Sequence, residues 1–195
     1  MTDGVSSDRP RERADAARNR RAILDATATL LAEHGAASIT MDRVAAAAGV
    51  GKGTIFHRFG NRAGLLRELL GERAFTLMDD ISNGPPPLGP GAPPAERLIA
   101  YFDAMTRLVI DNVELIIAYN TIPPHPRRDE VHAFWAAHIT SMLRAARPDI
   151  DAEAVGSLLL APLGGELVPQ MIREGQGERL LAAMRELVES VLRAP

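Results

Sequence analysis

The sequence predicts an all-α protein of about eight or nine helices, and three observations carry that prediction. Apolar residues return at intervals of three and four along most of the chain. No stretch alternates apolar and polar residues for long enough to form a strand. Gly35, Gly49 and Pro148 fall where periodic segments end, as helix stops do.

Residues 1–17 read as a flexible basic arm, because six arginines between Arg9 and Arg21 face only Glu12 and Asp15. A first helix follows from Arg18 to His34, with Ile23, Leu24, Thr27, Leu30 and Leu31 on one face and Gly35 as its stop. Thr40 has the hydroxyl to cap a second helix, and Asp42 stands in that helix's first turn, favourable to the helix dipole. The helix runs to Ala48. Gly49, Val50 and Gly51 then make a tight turn into a short third helix from Lys52 to about Phe59. Asn61 caps a long fourth helix whose Leu65, Leu66, Leu69, Leu70, Phe75, Met78 and Ile81 share a face.

Residues 83–94 hold six prolines and three glycines, which excludes a helix or a central strand and predicts a loop. Helical spacing resumes at Leu98, Phe102, Met105 and Val109, continues in a short piece around Ile116, and returns at Val131, Trp135, His138 and Met142. Two final segments run from Ala152 to Ile172 and from Glu178 to Leu192.

Composition narrows the function. The chain has 195 residues, 46% of them hydrophobic and 24% charged, as an ordered globular protein has. With no cysteine, disulfides, iron–sulfur clusters and thiolate zinc sites are excluded. A secretory signal needs an apolar core of about 7–15 residues, and the arginine-rich start has none. The most apolar stretch, Leu158 to Ile172, is broken by Pro162, Glu166 and Pro169, so it falls short of the roughly eighteen apolar residues of a membrane span. A cytoplasmic protein without a membrane partner is the expectation. The net charge of −3 conceals an asymmetry: through Arg73 the chain carries 12 basic and 9 acidic residues, and beyond it 10 and 16. The basic excess sits with the N-terminal helices.

Those helices have the spacing of a helix-turn-helix. Ala45, Ala48 and Gly49 are small enough for two helices to cross closely, and Val50, Ile55 and Phe59 are placed to bury against Ile39 and Val44. Gly51, Lys52, Gly53, Thr54, Phe56 and His57 are then left outward. A helix start with free amides, a lysine and a hydroxyl suits phosphate, and such a helix reads bases in the major groove.

The segments RRAILDATATLLAEHG and ITMDRVAAAAGVGKGTIFHRFGNRAGLL, over about Arg20 to Leu66, resemble the N-terminal signature of the TetR-type regulators. The resemblance implies that Thr40 contacts the DNA backbone and that Gly51 to His57 lie in the major groove. It also puts Arg62 where the family usually has a phosphate-binding lysine. Gly51 replaces a common serine and loses a capping hydroxyl. Phe56 replaces a common tyrosine and keeps the packing without the phenol, and Arg58 stands at a usual histidine, where it can reach phosphate. The domain expectation is a basic arm at 1–17, a DNA-binding unit at 18–66, and a helical ligand-binding and dimerisation domain at 67–195.

One recognition helix covers few base pairs, so two copies on a two-fold operator are expected, hence a homodimer. The final two segments are the expected interface, through Val155, Leu159, Leu163, Leu180, Met184, Leu187 and Val191, with Gly156, Gly164 and Gly165 allowing close approach. The resemblance further implies a pocket for a small-molecule effector that releases double-stranded operator DNA. Its candidate lining is Phe102, Met105, Val109, Ile116, Tyr119, Trp135, His138, Met142 and Gln170, with Glu166 expected to face solvent. No cofactor, metal or catalytic residue is expected. The P-loop-like AAAAGVGKG fails because Gly53 stands where a magnesium-binding hydroxyl is needed and a helix precedes it. His125, His132 and His138 are not spaced as paired metal ligands on a helix. A helical interaction module that binds no DNA is the competing reading.

Overall fold

A computed structural model describes residues 9–123 and 125–193, and among them the chain forms ten α-helices joined by turns, with no strand. It divides into two compact units, Met1–Gly71 and Glu72–Pro195.

In the N-terminal unit α1 spans Arg9–His34, so it begins nine residues ahead of Arg18. The flexible arm expected at 1–17 is corrected over 9–17: arginine, alanine and glutamate there are strong helix formers, and Arg18 reaches back to Asp15 within the helix. Residues 1–8 of that arm lie outside the described residues. Gly35, at φ 72°, ends α1 as a left-handed stop, its amide donating to the Leu31 carbonyl at 2.9 Å. A 3-10 turn, Ala36–Ser38, leads to α2, Met41–Ala47. Thr40 caps α2 as expected, its Oγ1 accepting the Arg43 amide at 3.2 Å. Then come α3, Lys52–Phe59, and α4, Arg62–Asn83. Asn61 Oδ1 accepts the Gly64 amide at 2.9 Å, and a Cβ on Gly64 would strike the Phe59 carbonyl, so the α3–α4 corner requires glycine. Ile23, Leu24, Ile39, Val44, Ile55, Leu65 and Leu66 are fully buried in this unit.

The C-terminal unit takes the last turns of α4 and then α5 (Pro94–Asp111), α6 (Val113–Asn120), α7 (Pro126–Ala146), α8 (Ala152–Leu160), α9 (Leu167–Arg173) and α10 (Gly177–Leu192). Arg97 holds the proline-rich loop, donating to the Ile81 carbonyl at 3.0 Å and the Leu88 carbonyl at 3.3 Å. The core joins Leu98, Tyr101, Phe102 and Met105 of α5 to Trp135, Ile139 and Leu143 of α7 and to Leu180, Met184 and Val188 of α10. Where one helix is expected from Ala152 to Ile172, α8 gives way to a 3-10 turn at Ala161–Gly164 before α9. Pro162 cannot donate to the helix ladder, and Gly164 and Gly165 do not sustain one. Arg147 closes the far end of α10, donating to the Arg193 carbonyl at 2.7 Å while pairing with Asp149. Among the described residues no single helix is long and apolar enough to cross a membrane.

The crossing of α7 and α8 turns on Gly156, where a Cβ would lie 2.9 Å from Ile139 Cγ2 and 3.5 Å from Leu143 Cδ1. Gly156→Val must push these helices apart and is expected to lower stability by about 1–3 kcal/mol, read as a fall in the urea midpoint. An unchanged midpoint would show that the crossing has slack.

Candidate nucleic-acid interface

Helix α3 is set by two buried anchors: Ile55 is wholly buried and Phe59 nearly so. Four residues apart, they occupy one face of an eight-residue helix and turn everything else outward. Gly51, Lys52, Gly53, Thr54, Phe56, His57 and Arg58 are all exposed, and Phe56 leaves 42% of its surface in solvent. The turn before α3 is made by Gly49 at φ 65°, with the Val50 amide donating to the Ala45 carbonyl at 3.0 Å. Val50 is only half-buried. Gly51 precedes α3 in extended backbone and offers no capping side chain, so no side chain caps the start of α3, where the Thr54 amide donates to the Gly51 carbonyl at 2.9 Å.

Lys52 Nζ lies 2.8 Å from the Asp42 carboxylate on α2, and both groups are solvent-exposed. Exposed pairs of this kind are worth about 0–1 kcal/mol, so an arriving phosphate can take the lysine at small cost. Thr40 is exposed at the start of α2, its hydroxyl oxygen already holding the Arg43 amide. Arg58 reaches the Ala16 carbonyl on α1.

Arg62 departs from expectation. It is half-buried, and its guanidinium donates from Nε to the Ile39 carbonyl at 3.0 Å and from Nη2 to the Ala36 carbonyl at 2.9 Å. The forked side chain expected on phosphate ties the start of α4 to the segment leading into α2. Only the planar spread of arginine allows this double reach, and nothing in the spacing signals it.

Gly53 stands in open space on α3. A Cβ there would meet no atom within 4 Å, and at Gly51 only Thr54 Oγ1 at 3.8 Å. Packing within the protein does not require a glycine at either position, although glycine in a helix costs about 1 kcal/mol relative to alanine.

In the C-terminal unit the expected pocket residues separate. Phe102, Met105, Val109 and Trp135 are buried core, while Ile116, Tyr119, His138 and Met142 are half-buried. Gln170 is corrected: it is exposed on α9 and donates to Glu174 at 3.0 Å. Glu166 is exposed. Tyr101, which apolar periodicity passes over, lies fully buried with its ring 5.3 Å from His138 and 5.9 Å from Trp135. Burial raises the Tyr101 pKa far above its usual value; burial and, after it, the charge of Arg97 lower His138 to about 4, so the imidazole is neutral near pH 7. A cleft of about 780 Å³ opens elsewhere, between α7 and α8, lined by small side chains including Ala133, Ala137, Thr140 and Ser157 and by none of the expected pocket residues.

The residues expected at the dimer interface separate likewise within the unit. Leu159, Leu163, Leu180 and Met184 are buried in the unit's own core, because α10 lays its apolar stripe along α5, and Val155 and Val191 are half-buried. Leu187 stays 46% exposed, and the sequence pattern missed Leu158 at 72% and Leu167 at 64%.

Residues 23–69 match the family model of bacterial regulatory proteins of the tetR family. No curated protein matches the chain by sequence. Among solved structures, a transcriptional regulator from Rhodococcus sp. Rha1 superposes with a TM-score of 0.70 at 21% identity, over 92% of this chain and 99% of its own. PfmR, a TetR-family regulator from Thermus thermophilus, gives 0.63 at 21% identity over 89% and 95%. FadR from Bacillus subtilis, in complex with stearoyl-CoA, gives 0.68 at 18% over 88% and 97%. The likeness concerns the fold.

Removing the Arg62 fork leaves two carbonyls without their charged donor. Arg62→Ala is expected to cost about 1.5–3 kcal/mol of stability, and Arg62→Lys to recover only part, since a single ammonium replaces two spread donors. Thermal denaturation of the three proteins checks this; an unchanged midpoint in Arg62→Ala would return the arginine to a purely DNA-facing role.

Proposed function

We propose that this chain, whose N-terminal domain is that of the TetR-family DNA-binding transcriptional regulators and whose fold is theirs throughout, is a homodimeric repressor released from its operator by a small molecule. The observation that carries the reading is the exposed surface of α3 and its approach, seven positions left outward by the two buried anchors Ile55 and Phe59. Residues 18–66 would read the operator and residues 67–195 would bind the effector and pair the protomers, in the cytoplasm where the DNA lies.

In this reading the first-turn amides of α3, with Lys52, Thr54 and Thr40, hold phosphates. His57 and the exposed edge of Phe56 face the bases, where an aromatic edge suits a thymine methyl. Arg58 adds charge at the rim, and the glycines at 51 and 53 let the helix start approach the sugar–phosphate backbone. The exposed Leu158, Leu167 and Leu187 serve dimerisation, beside the half-buried Val155 and Val191. An effector releases DNA only if it binds the low-affinity conformation more tightly. The complex of Bacillus subtilis FadR with stearoyl-CoA supports a small-molecule site on this fold.

Fluorescence anisotropy against DNA flanking the gene tests the reading, with tight, sequence-selective and steeply salt-dependent binding expected. Lys52→Ala should weaken binding and reduce the salt slope by about 1. Gly53→Ala should keep or raise the melting temperature yet weaken binding, since the methyl group meets nothing but DNA. Equal affinity of Gly53→Ala and the parent would remove α3 from the interface. In sedimentation equilibrium, Leu158→Asp with Leu187→Asp is expected to shift the dimer towards monomer without unfolding it. A dimer that persists unchanged would move the interface away from these helices.

A further inference from the structure

Among the described residues, Tyr101 Oη on α5 and His138 Nε2 on α7 are buried in the C-terminal unit with no hydrogen-bond partner, as is Thr106 Oγ1 further along α5. The rings of Tyr101 and His138 are 5.3 Å apart, and the rings of Trp135 and Phe102 lie 5.9 Å and 5.1 Å from that of Tyr101. A buried hydroxyl without a partner costs about 1–3 kcal/mol, and phenylalanine would fill the same ring space without that penalty. A phenol and an imidazole, both orphaned, lie on facing helices in aromatic surroundings, two unpaired polar atoms of the kind a ligand's polar group satisfies.

The chemistry of the missing partner follows from what these groups offer. The phenol is a donor, since burial keeps it protonated. The imidazole is neutral and can donate or accept through Nε2. After burial, the guanidinium of Arg97 is the charge that lowers the pKa of His138. A cationic headgroup would meet the like charge of Arg97, whereas an oxygen anion would meet a phenol donor, an imidazole and that positive charge.

We propose that the interior of the C-terminal unit binds a lipophilic carboxylate, its carboxyl group hydrogen-bonded by Tyr101 Oη and His138 Nε2 and its apolar body lying against Phe102, Met105 and Trp135. This rests on the effector-released regulator proposed above and names the class of its effector. A single buried water bridging the two atoms is the competing occupant.

Trp135 is the only tryptophan in the chain and reports on the site directly. Its emission is to be followed while full-length protein is titrated with sub-micellar decanoate, decanol and decyltrimethylammonium, and with Tyr101→Phe and His138→Leu variants. Decanoate is expected to change the emission saturably and raise the melting temperature, with decanol weaker and the ammonium inert. Tyr101→Phe should weaken decanoate about five- to tenfold, as loss of one hydrogen bond implies, yet leave the unliganded melting temperature unchanged or raised. Equal binding of decanol or of the ammonium overturns the carboxylate. A fall of several degrees in unliganded Tyr101→Phe overturns the site in favour of an internal or water-mediated bond. Absence of a decanoate response in protein that binds operator DNA defeats this inference alone, whereas loss of selective DNA binding defeats the regulator reading whatever Trp135 reports.

Discussion

The surface that α3 presents depends on the burial of Ile55 and Phe59. An eight-residue helix is too short to be stable alone, so its existence and orientation come from those two anchors joining the core built by Ile23, Leu24, Ile39, Val44 and Leu65. Around them each local device has one consequence. Gly49 takes a left-handed conformation to turn the chain, Thr40 and Asn61 start the neighbouring helices, and Gly64 admits the Phe59 carbonyl at the corner. Arg62 then fastens α4 to the approach to α2 by two hydrogen bonds. Rigidity on the inward side is what leaves the outward side free for recognition.

The C-terminal unit solves a different problem. Its helices α5, α7 and α10 bury a large apolar core that includes Tyr101, a residue that brings a hydroxyl into it. Keeping a phenol and an imidazole together among aromatic rings sacrifices stability, which sites of binding commonly do and mere packing does not. Charge follows the same division of labour: the basic excess lies in the first part of the chain and the acidic excess in the second.

Much of the fold was legible because helix starts and stops are local chemistry. A threonine before a helix, a glycine after one and a proline-rich interruption act on the backbone within a few residues, so spacing alone located α2 and α3, and of the loop expected at 83–94 residues 84–93 lie between α4 and α5. Where local chemistry competes with length, the reading erred: α1 extends back to Arg9 because good helix formers continue there, and Pro162 divides the segment read as one helix.

The sequence by itself determined the all-helical class, the caps and turn of the helix-turn-helix, and which face of α3 looks outward, because the 3.6-residue period assigns a face to every residue of a short helix. Only the tertiary structure decided which apolar residues are core and which are left over. Leu187 follows Leu180 by one heptad and so falls within about 20° of it around α10. Yet Leu180 is buried and Leu187 is exposed, although Val188 beside it is fully buried, because the helices packed on α10 cover the face of Leu180, Met184 and Val188 and leave its edge at Leu187 open. The partners of Arg62, 23 and 26 residues distant in sequence, and the meeting of Tyr101 with His138 across two helices were settled in the same way. Contacts between residues far apart in the chain leave no periodic trace in either segment.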